Sequence, residues 1–128
     1  MTKCGRYGLS SFDYSPKTIR ESVKRSLARL KTSYLDVVYL HDVEFVCEPV
    51  VPQTTGDPSS ALSDQAQAYG IAPGDEGKVR GEGDQKILDA YNELRKLKEE
   101  GLVRQIGITG VSTVSSVDSR RLTYRKAT

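Results

Sequence analysis

His41 is the single histidine of the chain, and it is followed at once by Asp42. The pair stands at the end of the run Tyr34-Leu35-Asp36-Val37-Val38-Tyr39-Leu40, the most strand-like stretch of the sequence. A histidine can exchange a proton near neutral pH, so its position at the end of a strand makes it the first candidate for chemistry. On its own it reads first as a structural histidine and second as an active-site residue. Lys3, judged without further context, is a surface lysine. Cys4 and Cys47 are the only cysteines, with no C-x-x-C spacing and one histidine to join them. That pattern indicates neither a zinc site nor a disulfide framework, but two reduced thiols, and Cys4 reads as packing rather than as a nucleophile. Gly74-Asp75-Glu76-Gly77-Lys78 has the look of a phosphate loop but lacks the G-x-x-x-x-G-K-[ST] spacing and a preceding strand, so that reading is rejected.

The elements that would position these residues follow from periodicity. Val37 to Leu40 is almost wholly apolar and β-branched, as in a parallel strand covered on both faces by helices. Sheets and barrels of that class place their chemistry beyond the C-terminal ends of the strands, where His41 and Asp42 lie. Upstream, Thr2-Lys3-Cys4 reads as a strand end running into a glycine-rich loop. Ser15 as N-cap and Pro16 at the first position then open a helix whose buried stripe is Ile19, Val23, Leu27 and Leu30. A second helix is expected from Asp84, as N-cap, to Glu100, with Ile87, Leu88, Tyr91, Leu94 and Leu97 buried and Gly101 as its stop. Arg95 with Glu99, and Lys96 with Glu100, have the spacing of i,i+4 ion pairs. Leu102 to Ile108 reads as a further strand.

Between these parts, residues 46 to 83 hold four of the five prolines and six of the eleven glycines. So long a connection is expected to be a lid, a functional loop or disordered, with one short helix from Ser60 to Tyr69. The order of strand, helix, strand, long loop, helix and strand implies a parallel sheet with right-handed crossovers.

Composition sets the outer limits. The chain has 128 residues, 37% hydrophobic and 7% aromatic, enough for one domain with a core. Its mean hydropathy is −0.49, and no apolar run approaches the roughly 20 residues that span a bilayer. No membrane association is expected, and with no apolar leader the default location is cytoplasmic. The net charge of +2 is concentrated after Val111, where Arg120, Arg121, Arg125 and Lys126 outweigh Asp118. Residues 1 to 110 therefore lack the basic footprint of a nucleic-acid binder.

Three segments together resemble the aldo-keto reductases. They are Leu27-Ala28-Arg29-Leu30, Tyr34-Leu35-Asp36-Val37-Val38-Tyr39-Leu40-His41, and Leu97 through Gly101-Leu102-Val103-Arg104-Gln105-Ile106-Gly107-Ile108. The resemblance covers residues 2 to 110. Residues Phe12 to Phe45, with the loop Gly81-Glu82-Gly83-Asp84-Gln85, look most like the sugar branch of D-arabinose and L-galactose dehydrogenases.

The resemblance implies part of a (β/α)8 TIM barrel, about three parallel strands and two main helices. It implies NADP or NAD as cofactor and a small-molecule aldose or aldehyde as substrate. It further implies a tetrad of Asp, Tyr, Lys and His, in which His41 matches the histidine and Lys3 the lysine. The lysine's charge lowers a tyrosine's pKa so that it can pass a proton near neutral pH, while the histidine orients the substrate oxygen. Thr109 and Gly110 fall where many relatives carry a Ser-Asn pair against the nicotinamide, so Thr109 is the expected cofactor contact. The tetrad Asp and Tyr are expected upstream of Lys3, and Tyr7, Tyr14, Tyr34 and Tyr39 do not match the tyrosine's position. A barrel needs about 250 residues, so a fragment that is inactive alone is expected, or a non-catalytic interaction module. Residues 1 to 110 would form the partial domain, and 111 to 128 an irregular basic tail.

Overall fold

In the computed structural model, residues 1–48, 73–74 and 78–110 are described. The expected short helix within 60–69 and the tail 111–128 lie outside them. Three strands, β1 (Thr2–Cys4), β2 (Leu35–His41) and β3 (Val103–Thr109), form a parallel sheet in the order β1-β2-β3. Helix α1 (Pro16–Leu30) connects β1 to β2, and α2 (Glu82–Glu99) precedes β3. A single 3-10 turn, Val43–Phe45, follows β2.

Helix α1 begins where its sequence dictates. Ser15 is extended, and its hydroxyl accepts from Thr18 N–H at 3.4 Å, while Pro16 occupies the first position. Asp13 reinforces the cap by accepting from Ser15 N–H at 2.9 Å and from the Thr18 hydroxyl at 2.8 Å. Tyr14, just before the cap, and Ile19, one turn in, are both buried in the core, the arrangement of a hydrophobic staple. The apolar stripe is only partly buried. Ile19 and Val23 are sealed and Leu27 is half-buried, but Leu30 is 62% exposed. Periodicity identified the face, but burial also needs a neighbour under each side chain, and Leu30 lies beyond the edge of the core.

Two further expectations are corrected. Helix α2 starts at Glu82 with Gly81 at the cap position, and Asp84 lies inside the first turn, wholly buried. Its carboxylate accepts from Glu48 N–H at 2.9 Å and Arg80 N–H at 3.0 Å. One buried side chain therefore draws together both ends of the long connection, a use that outweighs capping. Of the anticipated ion pairs within α2, that of Lys96 with Glu100 is redirected. Lys96 stands 3.7 Å from Glu93, and Glu100 is held at 2.7 Å by Arg20 of α1. The Gly101 stop is observed, with φ of 81° after the last turn.

The core lies between the sheet and the helices. Cys4, Val38 and Leu40 from the strands meet Ile19 and Val23 of α1 and Ile87, Ala90, Leu94 and Leu97 of α2. Strand β2 is therefore not covered equally on both faces. Val38 and Leu40 are sealed, whereas Val37, Tyr39 and His41, on the alternate side, are half-buried. It is this second face that carries the candidate chemistry.

Candidate functional site

Register decides which residues meet across that face. Lys3 pairs with Tyr39, and Tyr39 with Gly107, so these three form one row. His41 pairs with Thr109 in the next row, about 6.6 Å further along the strands. The three residues anticipated from sequence, Lys3, His41 and Thr109, thus come from three strands to one carboxyl edge. Alternation puts them on the same side, because Cys4, Leu40 and Ile108 between them pack toward the helices. Tyr39 leans across its neighbour: a Cβ on Gly107 would come within 2.8 Å of its ring. The Thr109 hydroxyl is buried and has no hydrogen-bond partner among the described residues.

The turn that follows His41 is unusually well fixed. Asp42 has φ of 54°, the left-handed region that Asp tolerates better than most residues, and its N–H donates to Thr109 O at 2.8 Å. Its carboxylate, 8% exposed, pairs with Arg6 Nη1 and lies 3.3 Å from His41 Nε2. Arg6 is itself immobilised. Its other nitrogens donate to Gly8 O and Leu9 O, each at 3.1 Å, and its guanidinium lies 5.4 Å and 5.1 Å from the Phe12 and Phe45 ring centres. The Tyr14 hydroxyl donates to the His41 carbonyl, and burial, followed by the negative charge of Asp42, raises the phenol's pKa well above its ordinary value. Tyr14 is therefore a neutral strut, and no proton donor near neutral pH. It fits because residue 5 is glycine: a Cβ there would sit 2.2 Å from the Tyr14 ring.

Arg6 and Tyr14 escape a reading by spacing, since neither belongs to a periodic element. Tyr14 left a trace as the residue before a Ser-Pro helix start. For Arg6 the trace was weaker, a lone cation in a glycine-rich loop after a strand. Cys4 behaves as anticipated: its sulfur contacts Tyr39 O at 3.5 Å from inside the core. A shallow groove of about 490 Å³ on the helix layer, lined by Pro16, Asn92, Glu93 and Lys96 among others, shares no residue with this edge.

The family model described as "Aldo/keto reductase family" matches residues 1–126. The chain belongs to the aldo-keto reductase family. It is 38% identical over 109 residues to D-arabinose 1-dehydrogenase of Saccharomyces cerevisiae, covering 85% of this chain and 22% of that one. It is 33% identical over 110 residues to L-galactose dehydrogenase of Arabidopsis thaliana, covering 86% and 23% respectively. Among solved structures, the aldo-keto reductase of Bacillus halodurans in its holo form aligns with a TM-score of 0.48 at 24% identity, over 87% of this chain and 26% of that one. The chain thus spans about a quarter of the length of the curated relatives it matches. Its three parallel strands and two helices are a part of the family's α/β barrel, as the resemblance implied. Among the described residues no helix is long and apolar enough to cross a membrane.

Proposed function

We propose that this chain carries the lysine and histidine of an NAD(P)-dependent sugar dehydrogenase site, acting on an aldose or a related aldehyde. The observation that carries the reading is the strand register, in which His41 is opposite Thr109 and Lys3 stands one row behind on the same face. Similarity to a D-arabinose and an L-galactose dehydrogenase supports a sugar as substrate class. In this reading a C1–H bond of the sugar breaks as hydride while its hydroxyl loses a proton and C1–O becomes a carbonyl. The nicotinamide, when bound, takes up the hydride. Lys3 supplies positive charge beside the proton-transfer group, and His41 orients the reacting oxygen.

Thr109 fits a cofactor contact, because its buried hydroxyl has donor and acceptor capacity that no described residue uses. Position 110 contributes no side chain, and a Cβ there would meet the Glu44 carboxylate at 2.6 Å. The free, buried thiols Cys4 and Cys47 accord with a reducing, cytoplasmic location.

The test is a chimera in which these residues replace the matching segment of the yeast D-arabinose 1-dehydrogenase. Oxidation of D-arabinose with NADP or NAD is expected, falling at least about a hundredfold in kcat/KM in Lys3→Met and in His41→Ala. A folded chimera that does not oxidise the sugar would overturn the assignment.

A further inference from the structure

We propose that Tyr14 is a positioning residue, a rigid spacer that sets the backbone of His41 against the strand carrying Lys3. The pairing of β1 with β2 ends at Cys4 and Leu40, whereas β2 runs on with β3 to His41 and Thr109. His41 therefore stands one residue beyond the last rung that β1 supplies. Tyr14 spans that step. Its hydroxyl donates to the His41 carbonyl. Its ring lies against Gly5, two residues after Lys3, so closely that a Cβ there would sit 2.2 Å away. The ring is flat and inextensible, and its burial in the core holds it in place. Its own backbone is anchored too. Asp13 N–H donates to Gly5 O at 2.8 Å, Arg6 and Phe12 form an antiparallel bridge, and Ser15 caps α1. The loop after β1 thus closes on itself and delivers Tyr14 back to the strand's end. Burial, and then the charge of Asp42, raise the phenol's pKa, so the bond keeps its donor well above neutral pH. For the sugar chemistry this rests on the function proposed above, because the placing of His41 relative to Lys3 matters only where both serve one reaction.

Tyr14→Phe removes the donor and keeps the ring. In the full 128-residue chain, hydrogen exchange of the Asp42 amide, which is bonded to Thr109 O, should then rise about tenfold, the weight of one lost hydrogen bond. The amides of Val38 and Leu94, residues sealed in the core, should exchange as in the native chain. This measurement uses neither cofactor nor sugar, so it is separable from the reading above. In the chimera, Tyr14→Phe should lower kcat for D-arabinose about tenfold with KM unchanged. It should lower kcat no further once His41 is replaced by alanine, because a residue that acts through another is not additive with it. An Asp42 amide as well protected in Tyr14→Phe as in the native chain would overturn the proposal, and so would a rise shared alike by all three amides. An equal loss of kcat in the His41→Ala background would also overturn it, since that is the mark of a merely structural role. A chimera indifferent to His41→Ala would overturn the function proposed above, and the exchange measurement would still decide whether Tyr14 holds the strand end.

Discussion

Lys3 and Cys4 are neighbours in the chain yet face opposite sides of β1, and that alternation separates exposed from buried chemistry. Burial pushes the Cys4 thiol from 9.0 up to about 12. Cys47 is raised likewise to about 12, by burial first and then by the nearby carboxylates of Asp84, Glu44 and Glu48. A thiol is a nucleophile only as its anion, so both should resist iodoacetamide at pH 8 in the folded chain and react together on unfolding. Mass spectrometry after brief alkylation checks this. The same shifts have a stability consequence of definite sign. Folded pKa values above the unfolded one mean that the native chain keeps protons the unfolded chain releases, so stability is full below pH 9 and declines as pH rises toward 12. The urea midpoint should fall between pH 8.5 and 10.5, and fall less steeply in Cys4→Ala.

At the scale of elements, α1 and α2 are joined by one side chain. Arg20 pairs through Nε with Glu93 and forks onto both oxygens of Glu100 at 2.8 Å and 2.7 Å. The bonds from Arg20 hold the Glu100 carboxyl below its ordinary value. A depressed carboxyl pKa contributes stability above about 4.5 that is lost as pH falls through the folded value. The native chain should therefore lose more stability on acidification below pH 4.5 than Arg20→Met, as followed by urea unfolding at each pH. The neck of the long connection gives a second test. A Cβ on Gly83 would lie 1.8 Å from the Val46 carbonyl, so Gly83→Ala must push the first turn of α2 off its neighbour. About 2 to 3 kcal/mol should be lost, a cost of the size seen when a packed site is overfilled.

For the molecule as a whole, the sheet determines what these residues can do alone. Three strands make an open sheet, with β1 and β3 each paired on one side only among the described residues. General acid–base catalysis needs a proton-transfer group within reach of the substrate oxygen. Tyr14 is excluded by its bond to the His41 carbonyl, and Tyr39 leans over Gly107. We therefore expect the 128-residue chain, assayed by itself with D-arabinose and NADP or NAD, to show no turnover and no cofactor-dependent rise in Tm. Turnover that disappears in His41→Ala would refute this.

Much of the frame was legible in the residues themselves. Ser15-Pro16, the stripe through Ile19 and Val23, the run Val37–Leu40 and the stop at Gly101 are local signals, each enforced by backbone geometry or by apolar periodicity. Strand order, and with it the convergence of Lys3, His41 and Thr109 on one edge, followed from alternating elements and from the family motifs. What sequence could not supply was the set of contacts made across long separations. Leu30 is exposed, and Asp84 is a clasp for the loop ends rather than a helix cap. Arg6 reaches 36 residues along the chain to Asp42, and Arg20 spans 73 residues to Glu93. Periodicity reports which face of an element is apolar. Only the packed sheet decides which charged groups end up without water, and a buried charge must then find a partner wherever the fold provides one.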